Sequence, residues 1–205
     1  MPPDLKELLN ILEGVRRLLI VIHDNPDPDA LASACALARL VKVKANIGSR
    51  VCCDGVIGRA ENRALVRELR LKLMDASRVE WDRWPHVALV DAQPGTGNNA
   101  FPPRRTPLII VDHHPAFKQP RGKHVDIRPD YGSCTTILSE YLKAADVTPA
   151  GDLAAAMCYA ISSDTQDLAR EATPADTQAY VSLYPLADKK ALGRILHPRD
   201  RKSVV

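Results

Sequence analysis

The sequence predicts an α/β fold: a mainly parallel sheet of about five strands with helices on both faces. Three observations carry that reading. Short, continuous apolar runs rich in β-branched residues read as strands covered on both sides. They alternate with helical stretches, as parallel sheets require. Three of the runs end on polar residues, His23, Asp91 and Asp112, and in parallel sheets ligands bind beyond the carboxyl ends of the strands.

The elements follow in order. Asp4 to Leu12 places Leu5, Leu8, Leu9 and Leu12 at helical spacing behind an N-capping Asp4, and Gly14 ends the helix. Leu18 to Ile22 is the first strand. Ala30 to Val41 is an Ala- and Leu-rich helix with Asp29 at its N-cap position. Arg50 to Cys53 is a second strand closed by Asp54-Gly55, and Arg59 to Leu73 is an amphipathic helix with Leu65, Leu69 and Leu73 on one face. Val87 to Val90, Leu108 to Val111 and the weaker His124 to Ile127 complete the strands. Helices are expected at Thr135 to Ala145, Leu153 to Ile161 and Pro174 to Leu183, with Pro174 suited to a first turn.

Composition narrows the class. Apolar residues make up 45% and charged residues 26% of the 205 residues, an ordinary globular balance. A formal charge of +3 is too small to define a surface coated by nucleic acid. The five cysteines lack CxxC spacing and sit in apolar stretches, so they read as reduced core residues. The apolar run from Leu18 to Ile22 is far too short for a membrane span or signal segment, and a cytoplasmic location is expected.

Four segments carry candidate chemistry. His23-Asp24-Asn25-Pro26-Asp27-Pro28-Asp29-Ala30 alternates prolines with acids, which stiffens the loop between strand and helix. Taken by itself it also reads as a Pro/Asp turn with a helix cap. Asp91 in VDAQPG, the pair His113-His114 in VDHHP, and Asp164 in ISSDT are the others. An acid at the carboxyl end of an apolar helix opposes the helix dipole unless a cation lies near. Gathered in one place, Asp27, Asp29, Asp91 and Asp164 repel one another until divalent cations neutralise them. Mixed oxygen and imidazole donors suit Mn²⁺ or Co²⁺ better than Mg²⁺.

HDNPDPDA, VDAQPG, VDHH and ISSDT stand in the order of the four motifs of the DHH phosphoesterases, which the chain resembles over about residues 15 to 195. Within that family, GRAENRAL and GSCTTILSEYL look most like the nanoRNA-degrading and adenosine-bisphosphate phosphatase branch. The resemblance implies a DHH catalytic domain over residues 1–190. It implies that His23 and Asp27 bind one metal, that Asp29, His113 and Asp164 bind the other, and that Asp91 bridges them. Asp112 is implied to orient the His113 ring, and His114 to face the scissile phosphate as acid or leaving-group stabiliser. The implied activity is hydrolysis of phosphodiester or phosphomonoester bonds in short oligonucleotides or small nucleotides by a two-metal hydroxide mechanism, with Mn²⁺ as cofactor and Co²⁺ or Mg²⁺ as substitutes.

Two departures from the family pattern stand out. Pro28 replaces a frequent glycine and is expected to preserve the loop, and the usual C-terminal substrate-binding domain is missing from the chain. Residues 191–205 are therefore expected to be a tail or the start of a linker. Either the chain is part of a longer protein or the protein works differently. Arg59 and Arg63, or Lys118, Arg121 and Lys123, are candidate phosphate contacts, although basic runs are commonly just solvated faces. Ser133, Thr135 and Thr136 read as a helix cap whose N-terminus can also meet phosphate. His86, His124 and His197 are assigned surface or core roles. A homodimer is an open partner expectation. Two other functions stay open: hydrolysis of inorganic pyrophosphate or polyphosphate, and a catalytically degenerate nucleotide-binding module.

Overall fold

The computed structural model describes residues 4–198. Six strands, β1 (Arg17–Val21), β2 (Gly48–Cys53), β3 (Leu73–Asp75), β4 (Val87–Val90), β5 (Ile109–Asp112) and β6 (His124–Ile127), form one sheet in the order β3-β2-β1-β4-β5-β6. Every pairing is parallel. The order reverses at β1, so the crevice at the carboxyl ends of β1 and β4 is the topological switch point.

Side-chain alternation divides the core into two layers. Leu18, Ile20, Ala88, Val90, Ile109 and Val111 point to one layer, and Leu19, Val21, Cys52, Val87 and Leu89 to the other. The first layer packs against all the α-helices: α1 (Leu5–Ile11), α2 (Pro28–Ala45), α3 (Ala60–Glu68), α4 (Cys134–Ala144), α5 (Gly151–Asp164), α6 (Pro174–Leu183) and α7 (Lys189–Leu196). The second face is covered by single-turn 3-10 segments at Ala76–Arg78 and Trp81–Arg83, together with Phe101, whose ring meets Trp81 edge-on at 6.2 Å. Four of the five cysteines are buried and none is paired. Burial pushes the Cys35, Cys52 and Cys158 thiols up to about 12, so they stay protonated and inert.

Most expected elements appear within a few residues, and three differ. The cap of α2 is Asp27, which accepts from the Ala30 amide at 2.9 Å, and not Asp29. Pro28 occupies the first helical turn, where its missing N–H has no partner to lose. The helix expected from Arg59 to Leu73 stops at Glu68, because Arg70 turns left-handed at φ +49°, and the chain re-enters the sheet as β3. The tail expected from residue 191 begins later: Ala191, Leu192 and Ile195 of α7 are buried in the core. Residues 199–205 of that tail lie outside the described residues.

Gly132, just ahead of α4, shows how tightly the helices meet near the sheet's carboxyl edge. A Cβ there would stand 2.6 Å from Thr165 Cγ2 and 3.0 Å from the Glu171 carbonyl oxygen. The Gly132 amide donates to Asp176 at 3.0 Å, so the backbone has no room to withdraw. Gly132→Ala is expected to cost about 1–3 kcal/mol of stability by overpacking, read from urea unfolding midpoints; an unchanged midpoint would show that the loop yields freely.

Candidate metal centre

The β1 loop is fixed before any ligand arrives. Asp24 Oδ1 accepts from the Asp54 amide at 3.0 Å, Asn25 donates its own amide to Asp54 O at 3.0 Å, and Asn25 Oδ1 accepts from Val56 N at 3.0 Å. Gly55, at φ +81°, is required here, since a Cβ would lie 2.4 Å from Asn25 Oδ1. These bonds tie the loop after β1 to the loop after β2.

Backbone carbonyls set two histidine rings. His23 Nδ1 donates to Asp24 O at 2.9 Å, and His113 Nδ1 donates to Tyr131 O at 3.1 Å. With Nδ1 so engaged, each ring turns its Nε2 toward the centre, the nitrogen left to bind a cation. His23 Nε2 lies 3.6 Å from both Asp27 Oδ1 and Asp91 Oδ2. His113 Nε2 lies 3.5 Å from Asp91 Oδ1, 3.5 Å from Asp164 Oδ2 and 3.7 Å from Asp29 Oδ2. The donor atoms of His23, Asp27 and Asp91, and those of Asp29, His113 and Asp164, each fall within 4.8 Å of one another.

These separations are too long for hydrogen bonds. They match donors sharing a cation: at bond lengths of about 2.0–2.2 Å, neighbouring donors stand about 2.8–3.6 Å apart. Asp91 Oδ1 is buried and has no hydrogen-bond partner, a costly state for a carboxylate oxygen unless something else satisfies it. The backbone of Asp91 is left-handed at φ +53°, although its amide still completes the ladder to Val111 O at 2.9 Å. That turn aims one oxygen at each donor group. Such strain clusters at functional sites.

Asp29 sits at the back of the centre, fully buried. Its carboxylate accepts from the amides of Cys134 at 2.6 Å and Thr135 at 2.8 Å, the first two residues of α4. The N-terminus of α4, considered from sequence as a phosphate site, is therefore occupied by a protein carboxylate. Ser133 caps it through the Thr136 amide at 3.1 Å.

Without cations three of the carboxylates, Asp29, Asp91 and Asp164, resist ionisation. Burial, then the charges of Asp29, Asp27, Asp112 and Asp164, push Asp91 well above the usual carboxylate range. Burial, followed by Asp29 and Asp27, lifts Asp164 to about 9. Burial also raises Asp29 against the opposing pull of His113. Burial works against charge on His23, but the nearby Asp27 carboxylate and the bond to the Asp24 carbonyl win and raise its pKa.

Asp112 does not orient His113. Its Oδ1 accepts from His114 Nδ1 at 2.9 Å and from the His114 amide at 3.2 Å, while the Tyr131 carbonyl holds the His113 ring. The reason is directional: the chain turns after β5, so His113 points inward and His114 outward, where its side chain is 59% exposed. The hydrogen bond to Asp112 raises the His114 pKa against burial.

Gln93 was not assigned a role from sequence. Its buried amide donates to Asp112 Oδ2 at 2.7 Å, to Pro115 O at 3.2 Å and to His114 O at 3.3 Å, and accepts from Phe117 N at 2.6 Å. One side chain thus clamps the whole turn. The only sequence signal was a polar residue between the Asp91 turn and Pro94-Gly95.

Arg59 borders a cleft of about 460 Å³ shared with Asn25, Asp27, Asn62 and Asp164. Arg63 is instead turned to the Gly58 carbonyl at 2.6 Å and the Ile57 carbonyl at 3.3 Å. Lys118, Arg121 and Lys123 are exposed. His124 is a core residue, bonded to Glu7 at 2.6 Å and Tyr141 at 2.7 Å.

A switch-point crevice with five oxygen and imidazole donor residues grouped around one strained aspartate defines a candidate dinuclear divalent-metal centre on an α/β sheet. The chain belongs to the DHH family: the family's N-terminal domain matches residues 17–161. An uncharacterized protein of Methanocaldococcus jannaschii is 36% identical over 190 residues, which cover 92% of this chain and 38% of that protein. The chain thus spans well under half of that relative.

Two solved structures share the fold. An exopolyphosphatase-related protein from Bacteroides fragilis matches with a TM-score of 0.74 at 13% identity, covering 97% of this chain and 61% of that one. A putative family II inorganic pyrophosphatase from Methanococcus jannaschii matches with a TM-score of 0.66 at 23% identity, covering 87% and 60%. Among the described residues no helix is long and apolar enough to cross a membrane.

Proposed function

We propose that this chain is the catalytic body of a metal-dependent phosphoesterase that hydrolyses phosphodiester or phosphomonoester bonds in short oligonucleotides or small nucleotides, with nanoRNA fragments and adenosine bisphosphate as candidate substrates. The observation that carries this reading is Asp91, whose partnerless Oδ1 and opposite Oδ2 face two separate donor groups. In this assignment His23 and Asp27 would hold one divalent ion and Asp29, His113 and Asp164 the second, with Asp91 shared between them. The mixed donor set favours manganese. Such a pair supplies positive charge against the phosphoryl oxygens and makes a bound water more acidic.

The remaining steps belong to the chain itself. Asp29 keeps its orientation through the two α4 amides, so the centre does not reorganise as charge develops. His114, oriented by Asp112 and with its pKa raised by that bond, is placed to give from Nε2 the proton that the leaving oxygen takes up. We also propose that the protein works in the cytoplasm and as a homodimer.

Inorganic pyrophosphate and polyphosphate use similar donors and form the second reading, in keeping with the descriptions of the two structural neighbours. Elemental analysis combined with phosphate release from diadenylate, adenosine bisphosphate, pyrophosphate and polyphosphate tests both. The expected result is stoichiometric manganese and release from the nucleotide substrates. Release confined to the inorganic substrates would transfer the assignment to them, manganese and nucleotide binding without turnover would indicate a degenerate module, and a chain that takes up no divalent metal would defeat the reading.

A further inference from the structure

We propose that Phe117 is the stacking platform for the base of a nucleotide substrate, an inference that rests on the phosphoesterase reading and narrows it to base-bearing phosphoesters. The chain has two phenylalanines. Phe101 is 4% exposed and packs in the core, whereas Phe117 is 37% exposed and belongs to neither hydrophobic cluster. Single exposed apolar residues are ordinary on surfaces. What sets Phe117 apart is how it is held.

Its amide donates at 2.6 Å to Gln93 Oε1, and the Nε2 of that same side chain binds Asp112 Oδ2 at 2.7 Å. Asp112 in turn fixes His114. The Phe117 backbone and the Asp112-His114 pair therefore hang from one buried carboxamide, which holds the residue next to the centre. Such rigid anchoring lowers the entropic cost of stacking a ligand. Gly95, at φ +79°, lies beside the ring, where a Cβ would sit 3.8 Å from Cε1; the glycine leaves that edge bare.

The charge around the ring fits the same ligand. Lys118 Nζ stands over one face of the ring, 4.9 Å from its centroid, on a left-handed residue with φ +57°, which leaves the opposite face for a base. Arg121 and Lys123 follow, exposed and in no ion pair among the described residues. An exposed aromatic face with cations beside it is the arrangement that binds single-stranded nucleotides, the ring taking a base of any sequence and the cations taking phosphates. Inorganic phosphates have no group for the ring to meet.

The test compares ligands that differ only in the base. Calorimetric titration of the manganese-loaded chain with AMP and with ribose 5-phosphate is expected to show AMP binding about 5- to 150-fold tighter. Phe117→Ala is expected to bring AMP down to the ribose 5-phosphate level, and Phe117→Trp to keep the preference, with melting temperature and metal content unchanged in both. Equal binding of the two ligands by the wild type, or a Phe117→Ala variant that weakens both alike or retains the preference, would overturn the platform and leave the phosphoesterase reading standing. Binding of neither ligand would overturn the platform, and failure of the chain to take up manganese would overturn the phosphoesterase reading with it.

Discussion

Asp91→Asn is expected to reduce hydrolysis at least about 1000-fold while leaving the fold intact. A loss of that size corresponds to about 4 kcal/mol of transition-state stabilisation, within the range that metal charge provides. Asparagine is nearly isosteric with aspartate and tolerates the left-handed φ of +53° found here, so the turn itself has no reason to change. Removing one of several mutually repelling carboxylates should leave the metal-free variant as stable as the wild type or more so. Turnover, bound metal and thermal melting measured together check this outcome. Activity within a few-fold of wild type would mean that Asp91 is only a turn residue.

The second large effect joins metal removal to pH. In the metal-free protein Asp164 is lifted from an ordinary carboxylate value to about 9, and Asp91 and Asp29 are raised as well. A carboxyl whose pKa is higher folded than unfolded favours the fold while protonated. That stability is complete below about pH 4 and is lost as pH rises through the folded value near 9.

His23 and His114, also raised, lose their contribution in the same direction. The lowered groups Asp27 and Asp112 act only in the acid, below this window. The melting temperature in EDTA should therefore fall from pH 5 to pH 9. Divalent ions compete with those protons, so saturating metal should widen the gap as pH rises. With ligand a thousandfold above its dissociation constant, stabilisation of about 4 kcal/mol should raise melting by about 8–16 °C. A flat profile in EDTA with no rise on adding manganese or cobalt would remove the electrostatic basis of the centre.

The strands and most helices were legible because hydrophobic period and turn chemistry agree along this chain. Pro174 and the Thr173 cap start α6 where the sequence says they should. Where the two signals conflict, the reading went astray. Leu65, Leu69 and Leu73 keep helical spacing across the break at Arg70, a left-handed residue that no glycine announces, so β3 passed for the end of a helix. α7 was readable in principle, from its Asp188 cap and the spacing of Ala191, Leu192 and Ile195, but it is short and flanked by charge.

Of the candidate site, the six donors were recognisable by type and by their place after strands or at helix ends. Their partners were not. Whether Asp112 holds His113 or His114 depends on how the backbone turns after β5, and the roles of Gln93 and the Tyr131 carbonyl arise only when distant segments meet.

The parallel order of the sheet also sets a schedule for the growing polypeptide. The group of His23, Asp27 and Asp91 needs only β1, the start of α2 and the end of β4, all within the first 91 residues. The group of Asp29, His113 and Asp164 stays open until the last residue of α5 has been synthesised and docked against α2. During translation one half of the centre can assemble well before the other, and the aspartate that joins them waits, strained and partly unneutralised, for the second half to arrive.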